Sequence, residues 1–228
     1  MAGPALVLSG PGGRDRRLGE ELAELSRAFE GAPASKVVRW AVDRFGPHLS
    51  LLASMTDAVL VDLAVRVDPS IEVVFIDTGH HFPETLETVE LIRRRYGLNL
   101  RMVTVGPDPA PLVDGCCSAT KVLQLDRALV GRQAWMSGLR RAEASTRAEA
   151  PIVGLDRRGL VKVNPLATWT DEDVAGYIAE HDVPVNPLVY QGFLSVGCRP
   201  CTRPVAAGDD PRSGRWAGSA RTECGIHG

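Results

Sequence analysis

The chain lacks long apolar runs, net charge and an even number of cysteines. No stretch of its 228 residues reaches the ~18 apolar residues a membrane span needs, so no membrane role is expected. Twenty-six Lys and Arg against 28 Asp and Glu leave a formal charge of −2. That balance does not favour non-specific nucleic-acid binding, and an anionic ligand must be met by local Arg and Lys clusters. Met1-Ala-Gly-Pro-Ala-Leu-Val-Leu-Ser-Gly10 has neither the basic segment nor the full apolar stretch of a signal peptide. Five cysteines are an odd count. They argue against a secreted disulfide framework and for thiols kept in a reducing cytosol, so a cytoplasmic protein is expected. No internal repeat is present, and only the Gly/Ala/Arg-rich tail approaches low complexity. A hydrophobic fraction of 44% supports one cored domain with a tail.

What is present alternates between two periods. Leu18, Leu22, Leu25 and Phe29 predict an amphipathic helix near 15–30. A second helix is expected over about 35–45, with Val38, Val42 and Phe45 inward, ending at Gly46-Pro47. Leu49–Ser54 reads as a strand, and Asp57–Val67 as a helix. Ile71–Asp77 is the strongest strand signal. Pro83 opens the next helix and Gly97 closes it. Leu98–Val105 is a third strand, Cys116–Gly131 looks helical, and Ala134–Ser137 and Val161–Val163 read as short strands. Thr170 is an N-cap with Asp171, Glu172 and Asp173 in its first turn. Beyond Asp182 the chain reads as loop. Strand, helix, strand, helix, strand implies an α/β fold with a parallel sheet covered by helices. Ligands then sit at the carboxyl ends of the strands. That places Ser54-Met-Thr-Asp57 and Asp77-Thr-Gly-His80 on the binding rim.

The cysteines carry the sharpest chemical signal. Cys116 and Cys117 are adjacent, Cys198 and Cys201 form a C-x-x-C, and Cys224 stands alone near the end. Four thiolates suit zinc or an iron–sulfur cluster. Neighbouring side chains diverge, which is awkward for one tetrahedral ion but suits a cubane with irons at its corners. The spacing therefore favours [4Fe–4S]. Buried free cysteines or a redox C-x-x-C remain the plain alternative. Cys224 could be a nucleophile if His227, Arg212, Arg215 and Arg221 lend positive charge, or an incidental cysteine on a tail. The rim loop at Ser54 suits an anion at a helix N-terminus, or is an ordinary cap. Gly138-Leu-Arg-Arg141 with Arg147 offers fork-shaped donors, or is a solvated basic loop. His80 and His81 are expected to shape a loop.

Taken in order, these pieces resemble the assimilatory sulfonucleotide reductases, specifically the adenylyl-sulfate (APS) reductases. The match runs from about Leu49 to the end. It is carried by Asp77-Thr-Gly-His-His-Phe-Pro-Glu-Thr85, Cys116-Cys117 with Lys121-Val122, Gly138-Leu-Arg-Arg141 and Val163-Asn-Pro-Leu166. It continues through Trp169-Thr-Asp-Glu-Asp173, Val185-Asn-Pro-Leu188, Gly197-Cys-Arg-Pro-Cys201, Asp210-Pro-Arg-Ser-Gly-Arg-Trp216 and Glu223-Cys-Gly-Ile-His227. The resemblance implies a parallel-sheet, adenine nucleotide α-hydrolase-like fold related to the PP-loop proteins. Helices cover both faces, residues 1–201 form the nucleotide-binding and iron–sulfur domain, and residues 202–228 form a flexible tail. It implies thioredoxin-dependent reduction of adenosine 5′-phosphosulfate to sulfite and AMP through an S-sulfocysteine, in assimilatory sulfate reduction. By position, Cys116, Cys117, Cys198 and Cys201 would hold a [4Fe–4S] cluster, and Cys224 would be the nucleophile. Lys121, Arg147, Arg212, Arg215 and His227 would contact phosphosulfate, while Ser54, Thr78 and Gly138 would line the nucleotide pocket. Thioredoxin is the implied partner, and a homo-oligomer is allowed.

The chain departs from that pattern in two places. Residues 106–115 are short and proline-rich where the family carries a longer segment, often with a histidine. Ser118-Ala-Thr120 stands where basic residues are common. Both lower the positive charge near the cysteine pair. The rim loop also lacks the paired glycines of ATP pyrophosphatases, which argues against ATP hydrolysis. The nearest rival substrate is the 3′-phosphorylated nucleotide, PAPS, whose reductases usually lack the four cluster cysteines. A zinc-holding, non-catalytic module and a tRNA-thiolation enzyme are rivals of other classes; the acidic charge counts against the latter.

Overall fold

The computed structural model describes residues 11–104, 121–206, 208–216 and 222–227. Its elements begin with helices α1 (Pro11–Ala28) and α2 (Ala34–Phe45), then strand β1 (Leu49–Leu52), helix α3 (Val59–Val67) and strand β2 (Glu72–Asp77). Helix α4 (Pro83–Tyr96), strand β3 (Asn99–Thr104), helix α5 (Leu123–Ala128) and strand β4 (Ala134–Ser137) follow. Strands β5 (Val153–Leu155) and β6 (Val161–Val163) and helix α6 (Asp171–His181) complete the set. Cys116, Cys117, the 106–115 segment, Ser118–Thr120 and Arg221 lie outside the described residues.

The six strands form one sheet in the order β3-β2-β1-β4-β6-β5. Every pairing is parallel except β5 against β6. The antiparallel β5 is absent from the sequence reading. Three residues, one of them Gly154, give too short a period-2 signal to register. The helix expected near 15–30 begins earlier, at Pro11, and Leu18 at 37% exposure faces out while Leu22 and Phe29 are buried. Gly97 takes the left-handed conformation (φ 59°) that closes α4, as its position predicted.

Alternation along the strands divides the core in two. Leu49, Leu51, Val73, Phe75, Ala134 and Met136 face one side, against buried residues of α2, α3 and α4. Val74, Ile76 and Trp135 face the other, against Leu125 and Ala128 of α5 and Ile226 of the carboxy-terminal segment. The chain's end is therefore part of the second face. Helix α3 is buried continuously from Val59 to Ala64, as a helix apolar all round should be.

One charged residue sits inside α3. The Asp62 side chain is 4% exposed and accepts from Arg66 Nε at 2.6 Å and from the Tyr177 hydroxyl at 2.6 Å. Burial opposes its ionisation, but these hydrogen bonds and the Arg66 charge prevail, and its carboxyl is held below the ordinary range. A carboxyl of this kind adds stability above its unfolded-state value and loses it as pH falls through the folded one. Tyr177→Phe removes a hydrogen bond to a charged group and is expected to cost about 2 kcal/mol near neutral pH. In urea unfolding the loss should be full near pH 7 and should shrink in acid as Asp62 protonates. A pH-independent loss would mean that packing alone is at stake.

Candidate active site

Strands β1 and β4 lie side by side, yet the chain leaves them in opposite directions. From β1 it proceeds through α3 toward β2 and β3; β4 leads to the other half of the sheet. Beyond the carboxyl ends of such a pair the connections diverge and leave a crevice. A cavity of about 490 Å³ lies there, edged by Ala53 and Ser54 after β1 and by Ser137 and Gly138 in and after β4. That volume falls in the range of small-molecule sites.

The rim loop is tightly built. Met55 is fully buried with φ 60°, an unusual conformation for a residue with a side chain. Asp57 Oδ1 accepts from the amide of Val59, the first residue of α3, at 3.0 Å. Burial raises its carboxyl, while that hydrogen bond and Arg140 oppose the rise. Two of the arginines read as anion forks are paired with carboxylates. Arg140, in the cavity lining, pairs with Asp171 at 2.8 Å, and Arg141 clamps Glu30, just after α1, with contacts of 2.8 and 2.7 Å.

Ser54, Lys121, Gly138, Arg147, Arg212, Arg215, Cys224 and His227 all line the cavity. Residues up to 173 positions apart are thus gathered at one end of the sheet. Thr78 is not among the lining. It is buried on the rim after β2, with its hydroxyl 3.2 Å from Cys198 Sγ. Cys198 and Cys201 occupy a single tight turn, Arg199–Cys201, whose first amide donates to the His80 carbonyl at 2.7 Å. Residues after 201 fold back on this turn. Thr202 bridges Arg215, and the Trp216 amide donates to the Cys201 carbonyl at 3.0 Å. Arg215 lies over the Trp216 ring, 4.4 Å from its centroid. A Cβ on Gly197 would come within 2.3 Å of that guanidinium, so a side chain there would shift Arg215.

The implied cluster can be tested against half of its donor set. Two thiols on one turn, one of them within hydrogen-bond reach of a buried hydroxyl, suit a thiolate-ligated iron–sulfur group, because a coordinated sulfur accepts such a bond. No group of three or more His, Cys, Asp or Glu gathers among the described residues; the set is completed only by Cys116 and Cys117, which lie outside them.

The carboxy-terminal segment enters the crevice from the far side. Glu223 accepts from Arg147 Nε at 2.7 Å and Nη2 at 2.8 Å, and from Arg212 Nη2 at 3.0 Å. Burial disfavours its charge, but Arg147 and Arg212 more than offset this and hold its carboxyl below the ordinary range. Three residues after Cys224 the His227 ring stacks on Trp135, centroids 6.3 Å apart. Lys162 Nζ lies over the same Trp135 ring at 5.1 Å and donates to the His227 carbonyl at 3.3 Å. Burial, with Lys162, Arg147, Lys121 and Arg212 nearby, keeps the imidazole neutral by pushing its pKa well below the usual value. His227 is therefore not the positive neighbour that the sequence reading offered Cys224. Its Nδ1 is buried and has no hydrogen-bond partner among the described residues.

Sequence reasoning assigned no role to Glu223, Lys162, Trp135 or Asp57. Glu223 was visible as the residue before the cysteine, but its partners lie 76 and 11 positions away. Lys162 was visible only as a strand residue.

Burial lowers Lys162 to about 8, and Arg147 and Arg158 add to the shift while Asp156 and Glu223 oppose it. Between that value and the ordinary 10.5 the folded chain holds fewer protons than the unfolded one, so this group makes stability rise with pH. Lys162→Met should be the more stable protein near pH 7, and its advantage should shrink toward pH 10. Denaturant unfolding curves that stay parallel over this window would show that the ammonium is not desolvated.

A family model described as phosphoadenosine phosphosulfate reductase domain matches residues 48–204. The adenosine 5′-phosphosulfate reductase of Streptomyces coelicolor is 44% identical over 234 residues, covering 94% of this chain and 98% of that protein. The protein of the same name from Mycolicibacterium smegmatis is 44% identical over 225 residues, covering 91% and 94%. The crystal structure of phosphoadenylyl-sulfate reductase from Candida auris, a phosphate complex, superposes with a TM-score of 0.70 at 26% identity, covering 88% of this chain and all of that one.

Proposed function

Because the chain belongs to the phosphoadenosine phosphosulfate reductase family, we propose that it reduces adenosine 5′-phosphosulfate to sulfite and AMP, with Cys224 as nucleophile. The observation that carries this reading is the placement of Cys224 in the lining of the crevice at the carboxyl ends of β1 and β4, together with Lys121, Arg212 and Arg215. A thiol and a cluster of cations sharing one cavity suit attack on the sulfur of an anionic sulfuryl group joined to a phosphate. The 3′-hydroxyl form of the nucleotide is the substrate named for the two relatives at 44% identity, which favours it over the 3′-phosphorylated form.

The Cys224 thiolate attacks the sulfate sulfur, the bond from that sulfur to the bridging oxygen breaks, and AMP leaves with the electron pair. Lys121, Arg212 and Arg215 neutralise charge building on the phosphosulfate and on the departing phosphate. Ser54 and Gly138 edge the nucleotide end of the cavity, and the neutral His227 ring offers a hydrogen bond at the other. The product on the enzyme is an S-sulfocysteine. A thioredoxin thiolate then attacks the Cys224 sulfur and expels sulfite. The second thioredoxin thiol resolves the mixed disulfide, returning the Cys224 thiol and leaving thioredoxin oxidised by two electrons. The carboxy-terminal segment closes for the first attack and opens for the second.

Cys198 and Cys201, with Cys116 and Cys117, would hold a [4Fe–4S] cluster at the rim. When bound, such a cluster supplies a fixed charge distribution beside the site, and Thr78 would donate to its Cys198 sulfur. Thiols of this kind belong in a reducing cytoplasm. Among the described residues no helix is long and apolar enough to cross a membrane.

A single turnover with ³⁵S-labelled APS and no thioredoxin should leave label on Cys224, and Cys224→Ser should trap none while keeping its iron content. Label recovered at another residue removes Cys224 as nucleophile. With thioredoxin present, APS should turn over at least about tenfold faster than PAPS; the reverse preference would change the substrate. Cys198→Ser should lose iron and brown colour together, and retained iron would take Cys198 out of the ligand set.

A further inference from the structure

Arg147 has three nitrogens on its guanidinium, and all three are engaged. Nε and Nη2 donate to the two carboxylate oxygens of Glu223, and Nη1 donates to Glu143. The same Glu223 carboxylate takes a third arginine bond from Arg212 Nη2 at 3.0 Å and a hydroxyl bond from Thr146 at 3.2 Å. Arg147 is buried, and the Glu223 side chain is 24% exposed. A bidentate Arg–carboxylate pair with this much burial is both stronger and more directional than a surface ion pair.

Glu223 directly precedes Cys224. On the other side Ile226 is embedded in the second core with Val74, Ile76 and Leu125, and His227 is seated on Trp135 and Lys162. Between these two anchors lie only Cys224 and Gly225. Gly225 takes φ 80°, and a Cβ there would meet Val122 at 3.4 Å. The thiol's position is thus set by a short span fixed at both ends. The apolar anchor gives the segment depth, and the carboxylate gives it register.

The three nitrogens of Arg147 carry five N–H groups, and Glu223 and Glu143 take three of them. Losing Glu223 frees one end of the span that carries the thiol, so an attack by Cys224 requires the fork to hold the tail.

We propose that Glu223 is a positioning residue that keys the carboxy-terminal segment into the Arg147–Arg212 fork and so holds Cys224 at its place in the crevice. The proposal rests on the reading of Cys224 as nucleophile for its catalytic consequence, and on geometry alone for its structural one. The ionised state that the fork enforces on Glu223 agrees with it.

Amide hydrogen exchange over residues 222–227, read by mass spectrometry in the full chain without nucleotide, tests the structural half. The wild type should be protected. Glu223→Gln should exchange about tenfold faster there, the factor that 1.4 kcal/mol of lost charge-assisted hydrogen bonding corresponds to. Glu223→Asp, which keeps the charge, should recover part of the protection. Arg147→Lys should match Glu223→Gln, and the double variant should be no worse than either, as for two halves of one contact. Equilibrium binding of APS and steady-state kinetics test the catalytic half. Glu223→Gln should keep the wild-type Kd for APS within about twofold while kcat falls about tenfold or more. An unprotected wild-type segment, or unchanged exchange in Glu223→Gln, overturns the proposal. So does an unchanged kcat in Glu223→Gln, or a tenfold or greater loss of its APS binding. A wild type that binds no APS would remove the reductase reading instead, and the exchange arms would still decide what Glu223 does.

Discussion

Parallel pairing of β1 with β4, Leu49 opposite Ala134 and Leu52 opposite Ser137, is the constraint from which the rest follows. Parallel strands cannot be joined by a tight turn, so each must be reached by a crossover. With β2 and β3 on one flank and β6 and β5 on the other, the loops leaving β1 and β4 turn apart. The gap between them is a consequence of connectivity, and it opens where helix α3 presents its amino-terminal end. Of the substrate-site residues expected from the sequence, all but Thr78 line that gap.

The second constraint is electrostatic. The crevice collects Lys121, Arg147, Arg212 and Arg215 in a chain whose overall charge is slightly negative. Like charges brought together out of water repel unless anions intervene. Two devices meet that cost: Arg147 and Arg212 share the Glu223 carboxylate, and Arg215 lies on the Trp216 ring. His227 and Lys162 respond in another way, by proton affinity lowered through burial. A neutral His227 imidazole adds no positive charge to that end of the cavity.

The carboxy-terminal segment joins the two. Ile226 fills a place in the apolar layer under α5, and Glu223 fills a place in the arginine cluster. One apolar contact and one ionic contact bracket the thiol. Each is modest beside the core, which is the condition under which a segment can dock and release during a reaction cycle.

Much of this was legible in the amino-acid sequence. A compact β-branched run marked β2, Pro83 and Gly97 bounded α4, and Thr170 marked the N-cap that starts α6. These are local effects, set by dihedral preference, periodicity and hydrogen bonds within a few residues. The spaced cysteines and the ordered motifs identified the family for the same reason: chemistry constrains residue type at fixed separations. The antiparallel β5 was not legible, because three residues carry no readable period. Neither were the partners of the arginines. Arg141 and Arg147 look alike in a basic loop, yet one clamps Glu30 and the other Glu223. Charge pairing at separations of 76 and 111 residues depends on which elements the sheet brings together. Composition and local pattern determined what kind of fold and site this chain would build; only tertiary packing decided which cation met which anion, and so where the last cysteine came to rest.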